Sequence, residues 1–346
     1  MRSSPRKLLA LFATVCALAL PAGVASAEHV QCGDVITADT TLDSDLTCVG
    51  DGLYVTASNV TIDLAGHTIA GVSGAVGITG SSVIDGPTLR GGTIRGFGRG
   101  IEVDGPRGTL VHDMLLEQNG IGFRCNYAPE CTITSSEVRR NQIGIRFAAV
   151  DAGCESGSHV VGNRVHHNAV GVRYAGCNGT ISDNLIERNT EVGVDIEDHG
   201  RVVVSSNTID RSGDAGVYAE YMADVHVLAN RITRNAGNGV HLDGGTGPYG
   251  PGGVVRDNRV ARNGADGVRA TGVWNVLVER NRTDRNGDDG IDVDVGEYGG
   301  PITVRGNRAF FNFDLGIEAD PGTIDGGGNR ARHNGNPAQC VGVSCK

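Results

Sequence analysis

Apolar residues recur along this chain in three fixed phases. From about Gly100 a glycine followed by isoleucine or valine returns every 20 to 28 residues, at Gly100-Ile101, Gly120-Ile121, Gly144-Ile145, Gly171-Val172, Gly193-Val194, Gly216-Val217, Gly239-Val240, Gly267-Val268, Gly290-Ile291 and Gly316-Ile317. A second column holds Val111, Ile133, Val160, Ile181, Val204, Val227, Val255, Val278 and Val304, and a third holds Leu116, Val138, Val165, Ile186, Ile209, Ile232 and Val260. Each repeat therefore turns inward three times without helical periodicity. Short β units repeated in this way bury their apolar points by stacking on their neighbours, which predicts a β-solenoid of roughly triangular section.

Asparagines keep step with these columns. Asn163, Asn184, Asn207, Asn230, Asn258, Asn281, Asn307 and Asn329 lie between the second and third, and another asparagine usually follows five residues later, as at Asn168, Asn189, Asn235 and Asn263. Both sets are placed at corners, where asparagine tolerates left-handed angles and stacked amides bond from coil to coil. They are read as structural.

The coils vary in length at one edge. Insertions follow the first strand, at 125–131, 148–158, 244–253 and 295–301, so loops wall one face of a rigid scaffold, the usual location of binding. Alternation along that strand sends every second side chain outward. One outward file reads Glu102, Gly122, Arg146, Arg173, Asp195, Tyr218, His241, Arg269, Asp292 and Glu318, and a second reads Asp104, Arg124, Glu197, Glu220, Asp243, Asp294 and Asp320. Arginines 124, 146 and 173 make its early part cationic, while Asp195, Glu197, Tyr218, Glu220, His241 and Asp243 gather in its middle. Crowded carboxylates raise one another's pKa, a route to a general acid, and the same crowding at Glu197, Glu220 and Asp243 suits calcium. A solenoid exterior must also simply be polar, and His166, His167, His226 and His333, lacking such company, are read as solvated. Trp274, the single tryptophan, falls on the loop-bearing edge as a sugar-stacking platform or, more commonly for tryptophan, half-buried under a loop.

Residues 1–27 read as a secretory signal peptide, with a basic start at Arg2, Arg6 and Lys7, an apolar run from Leu8 to Leu20 and a small-residue cleavage site ending at Ala27. Its removal leaves 27 basic against 40 acidic residues, a formal charge of −13, which argues against nucleic acid as partner. No later apolar run has the length of a membrane span. Lysine occurs only at Lys7 and Lys346, so lysine chemistry is not expected. Eight cysteines remain in an exported chain and favour disulfides, which local geometry pairs as Cys32 with Cys48, Cys125 with Cys131, Cys154 with Cys177 and Cys340 with Cys345. The GxGxxG match at residues 245–250 lacks a strand-to-helix context and contains Pro248, so no nucleotide site is assigned.

The opening Cys32-Gly33-Asp34 through Cys48, the segment Thr61-Ile62-Asp63-Leu64-Ala65-Gly66-His67-Thr68-Ile69, the repeated coils and the ending Gln339-Cys340-Val341-Gly342-Val343 resemble secreted bacterial right-handed parallel β-helix repeat proteins of the pectin-lyase-like superfamily. The resemblance implies an all-β, right-handed parallel β-helix of about twelve coils and, commonly, a glycan site on a groove along one sheet. The expected organisation is a signal peptide at 1–27, an N-terminal cap at 28–52, the helix at 53–334 and a C-terminal cap at 335–346. Catalytic signatures of the known enzyme groups, including the YG-DPH epimerase motif, are not found.

The expected function is therefore a secreted, monomeric protein acting on an extracellular polysaccharide, its lyase, hydrolase or epimerase type left open. Asp195, Glu197, Tyr218, Glu220, His241 and Asp243 would supply acid and base, and Arg124, Arg146, Arg173, Arg269 and Trp274 would hold the polysaccharide or oligosaccharide. The alternative is a non-catalytic glycan-binding or cell-surface protein using the same groove.

Overall fold

The computed structural model of the chain describes residues 29–346 apart from 81–82, 129, 149–156, 177, 198–199, 221–223, 245–252 and 297–298. The expected signal peptide lies outside these residues. Among the described residues the regular structure is strand throughout, with no helix. A sheet of thirteen parallel strands runs from Val35–Ile36 to Ile317–Ala319, one strand per coil, in agreement with about a dozen stacked coils. It is called the first sheet here.

Two further stacks complete each coil, the second exemplified by Asp224–Leu228 and the third by Arg231–Thr233. The eight-residue strands Thr88–Arg95 and Leu110–Glu117 belong to both, since each pairs with two separate strands on a neighbouring coil. Strands Val35–Ile36, Thr40–Thr41 and Leu46–Thr47, inside the segment read as a cap, form the first tier and pair with the next.

All three apolar columns point inward. Val204, Val227 and Val255 are consecutive register partners with no exposed surface, as are Ile186, Ile209 and Ile232, and the third column continues as Thr283, Ala309 and Ala331. The register corrects the sequence reading at one coil. Phe123, not Ile121, pairs with Ile101 and Ile145, because Gly120-Ile121-Gly122-Phe123 offers two glycine-apolar pairs and the larger side chain fills the interior. Arg124 consequently stands in the first outward file, between Glu102 and Arg146.

The repeat glycine exists because of a close approach. A Cβ on Gly239 would meet the Gly267 carbonyl oxygen at 2.5 Å and the Asn263 amide nitrogen at 2.8 Å, so the next coil leaves no room for a side chain.

Both asparagine ladders form inside the corners. Asn207 donates its backbone N–H to Asn230 Oδ1 at 2.9 Å, and its Nδ2 donates to the same oxygen at 3.1 Å and to the Ile181 carbonyl at 2.8 Å. The inner amides are satisfied coil by coil, as burial of polar groups requires. The left-handed residue is not the asparagine, as expected from sequence, but the one before it: Ser206, Ala229, Arg234, Arg262 and Arg285 have φ between 54° and 60°. The asparagine must turn its side chain inward to bond the next coil, so its predecessor makes the bend. Disulfides join Cys32 to Cys48, Cys125 to Cys131 and Cys340 to Cys345 as expected; the expected pair Cys154 and Cys177 lies outside the described residues.

Candidate functional site

The first sheet brings the sequence-selected groups into one register block. Arg124, Arg146, Arg173, Asp195, Tyr218, His241, Arg269, Asp292 and Glu318 follow one another tier by tier, and beside them run Glu197, Glu220 and Asp243. Successive tiers lie about 4.8 Å apart, so the middle of the two files crowds four carboxylates, a phenol and an imidazole within three tiers. Strand alternation places their neighbours Ile196, Ala219 and Leu242 in the core, which fixes the outward direction of the file.

Specific contacts hold the block. Arg173 Nε donates to Asp195 Oδ2 at 2.8 Å and lies 3.3 Å from Glu197 Oε1. The Tyr218 hydroxyl donates to Glu220 Oε2 at 3.1 Å, and its ring meets the His241 ring edge-on at 5.2 Å. Arg124 is paired with Glu102 at 2.9 Å. Arg146, between Arg124 and Arg173, has no carboxylate partner among the described residues, and its Nε is buried without a hydrogen-bond acceptor. Asp195 is 5% exposed. Burial pushes its carboxyl up to about 6, with Glu197 and Glu220 adding to the shift and Arg173 opposing it. Burial also raises the Tyr218 phenol, reinforced by Glu220, and lowers His241 against the pull of Asp243.

A second group of acids lies toward the C-terminus; the sequence reading placed Asp292 and Glu318 in the outward file but missed Asp266, Asp288 and Asp289. Asn238, Asp266 and Asp289 precede the repeat glycines and form a side-chain ladder of their own. Asp266 N–H donates to Asn238 Oδ1 at 2.9 Å, Asp289 N–H to Asp266 Oδ1 at 3.0 Å, and Leu315 N–H to Asp289 Oδ1 at 2.6 Å. Burial pushes Asp289 up to about 8, with Glu318 and Asp266 contributing, and pushes Asp292 up to about 6. Their signal was a polar residue at a position that is apolar in Ile143 and Val170, one place before the glycine.

Convergent carboxylate oxygens occur in this second group, not where calcium was expected. Among the described residues Asp266, Asp288 and Asp289 share oxygens within 4.8 Å of one another, as do Asp289, Asp292 and Glu318. Glu197, Glu220 and Asp243 do not form such a group. They run along a single file, whose first and third members stand two strand spacings apart, about 9.6 Å.

Several other sequence-selected residues have clear positions. Trp274 is half-buried, with its ring over Gly300 and its Nε1 without an acceptor. Arg269 reaches Asp292 at 3.0 Å and Asp266 at 3.4 Å. His166, read as solvated, is buried: its outward position on the third sheet folds against Glu137, with Nε2 2.9 Å from Oε1. Much of the loop wall, notably 149–156 and 245–252, falls outside the described residues.

Comparison with known proteins follows the fold. The family model described as right handed beta helix region matches residues 39–177 and 244–344, and that described as periplasmic copper-binding protein (NosD) matches residues 150–281. No curated protein matches the chain significantly. Among solved structures, the Dettilon tailspike protein (gp208) aligns at 15% identity over 88% of this chain with a TM-score of 0.55; the chain spans 61% of that protein's length. The A-module of the Azotobacter vinelandii mannuronan C-5 epimerase AlgE4 aligns at 15% identity over 90% of this chain and 88% of its own, with a TM-score of 0.50.

Proposed function

Since the chain belongs to the right handed beta helix family, we propose that it is an exported, carbohydrate-active protein that acts on an acidic polysaccharide along the first sheet. The observation that carries this reading is the placement of Arg146, a cation with no carboxylate partner among the described residues, two tiers from Asp195 in one outward file. In this reading Arg146 takes a uronate carboxylate as a paired hydrogen-bond donor, and the glycosidic region lies over the Asp195, Glu197, Tyr218, Glu220, His241 and Asp243 block. Asp195, whose carboxyl burial raises to about 6 so that it keeps its proton in mildly acidic conditions, serves as acid, and Glu197 or Glu220 as base. A mannuronan epimerase among the structural neighbours supports the choice of an acidic glycan, and a periplasmic family and three disulfides support export.

A non-catalytic glycan-binding role has its own observation in its favour: Arg173 already engages both Asp195 and Glu197. Copper, which the name of the NosD family carries, does not fit. The convergent groups among the described residues are all carboxylate, which suit hard cations, with no imidazole or thiolate among them.

The test is a panel of acidic and neutral polysaccharides assayed for new reducing ends, unsaturated products and epimerised residues. The triple variant Glu197→Ala, Glu220→Ala and His241→Ala should stay folded and lose activity by a factor on the order of 100 or more, as removal of acid–base groups does. Arg146→Gln should raise KM for acidic substrates with kcat little changed. Full activity in the triple variant rejects catalysis at this face, and glycan binding without turnover by the native protein selects the second role.

A further inference from the structure

A different face of the solenoid carries a groove that the reading above does not use. On the third sheet, Arg231, Arg259, Arg282, Arg308 and Arg330 are register partners on five consecutive tiers, all exposed. Along the adjoining corner Arg211, Arg234, Arg262 and Arg285 repeat with the same period, each in the left-handed region with φ between 56° and 60°. Glycine or asparagine adopts that conformation at lower cost, so the recurrence of arginine there is not explained by the bend. Between the two rows the side chains are Thr233 and Ala261, short enough to leave a valley. It contains a cleft of about 50 Å³ walled by Arg231, Arg234, Arg259, Arg262 and Arg285, with Asp284 at its edge. By the ~10–15 Å³ that a water occupies, it admits a carboxylate and an adjacent hydroxyl rather than a whole sugar ring.

The charge in this groove is largely uncompensated. Nearer the N-terminus the same sheet is balanced, with Arg139 on Glu117 and Glu137 and Arg164 on Glu187. Further along, Asp210 holds Arg211 and Arg234, and Arg282 bonds Asp284. Arg231, Arg259, Arg262, Arg308 and Arg330 have no carboxylate partner among the described residues.

Asp284 supplies the second observation. It shares a file with Asp210, whose Oδ1 accepts from Thr233 Oγ1 and Arg234, both on the next tier. One tier beyond Asp284 those two positions are Phe310 and Phe311, whose side chains donate nothing. Asp284 is 2% exposed, and its Oδ1 is buried with no partner. Phe311 itself is 50% exposed, lies under the Arg285 guanidinium at 5.0 Å and stacks on His333.

We propose that this groove, from Arg211 to Arg330, binds a linear polysaccharide carrying uronic acid residues, at a site separate from the first sheet. The arginines take the carboxylates in paired hydrogen bonds, the unpartnered Asp284 Oδ1 in the cleft wall accepts from a sugar hydroxyl that enters the cleft, and Phe311, held between Arg285 and His333, adds only its exposed edge as apolar surface. A hydroxyl beside each carboxylate is what distinguishes this ligand from a plain polyanion, since a buried carboxylate acceptor repels phosphate and needs a donor. The guanidinium period, about 4.8 Å, is close to the advance of one pyranose along an extended chain. It exceeds the ~3.4 Å of helix axis that each phosphate of a stacked nucleic-acid strand occupies.

The experiment measures fluorescence anisotropy of the full chain with labelled oligogalacturonate, its O-acetylated form and an oligothymidylate of equal charge, at one ionic strength. The native protein should bind oligogalacturonate at least tenfold more tightly than oligothymidylate and at least fivefold more tightly than the acetylated form. Arg259→Gln with Arg262→Gln should weaken binding at least tenfold with an unchanged melting temperature. Equal affinity for oligothymidylate, or for the acetylated oligomer, overturns the proposal. So does a double variant that binds like the native protein. The Glu197, Glu220 and His241 alanine variant should retain this binding. If it alone loses affinity, the glycan sits on the first sheet, which leaves the proposed function standing and rejects the groove.

Discussion

Ser212 stands where the ladder of Asn168, Asn189 and Asn235 calls for an asparagine. Its N–H donates to Asn235 Oδ1 at 2.9 Å, but its hydroxyl is buried without a partner, and it has no amide to pass the chain of bonds downward. At the equivalent place Asn168 bonds both Asn189 and the Val138 carbonyl. Gly193 approaches Ser212 Oγ as the other repeat glycines approach an asparagine amide, so the space for that amide is shared by all tiers. Ser212→Asn should therefore stabilise the protein by about 1–2 kcal/mol, from one or two net hydrogen bonds and the removal of an unpaired hydroxyl. Calorimetry checks this as a melting temperature raised by a few degrees; a lower value would mean that the ladder bends at Ser212 by necessity.

The tier is the next unit of stability. Val227 is fully buried between Val204 and Val255, and Val227→Asp places a charge where no partner is within reach. A loss of several kcal/mol is expected, seen as a large fall in denaturant midpoint, and an unchanged midpoint would contradict the inward direction of the second column. These columns were legible because stacking forces the same residue class to return at each coil. The register at Gly120 to Phe123 was less so, since two glycine-apolar pairs fit and only interior volume separates them. The left-handed residues were misplaced by one because asparagine is both a good bend former and a good ladder former, and burial decides for the ladder. Asp266 and Asp289 were not singled out, because an acid next to glycine is an ordinary turn pair unless the corner is known to be closed. Arginines of the third sheet were invisible as a group because each alone is a normal exterior residue. Only tier pairing puts Arg231 beside Arg259.

At the scale of the whole molecule, the acids crowd the later tiers of the first sheet and the arginines the third. Asp195 and Asp292 are raised to about 6 and Asp289 to about 8, each first by burial. A carboxyl whose folded pKa lies above its unfolded value is bound to a proton more often in the folded chain, so it favours folding at low pH and loses that advantage as pH rises. Melting temperature should therefore fall between about pH 4 and pH 8. Asp289→Asn should flatten the upper part of that decline. A melting temperature that rises across this window would show that these carboxyls ionise freely. The ladders carry a different consequence, for how such a chain changes over evolutionary time. Asn207 and Asn230 are 23 residues apart, and every column, corner and hydrogen bond between them repeats one step later. Duplicating one such unit in the gene lengthens the rod by one tier and leaves each old contact in phase, whereas gaining or losing a single residue within a strand throws every later side chain out of step. Growth by whole multiples is the path of least resistance, and variety is confined to the one edge where loops of any length are tolerated.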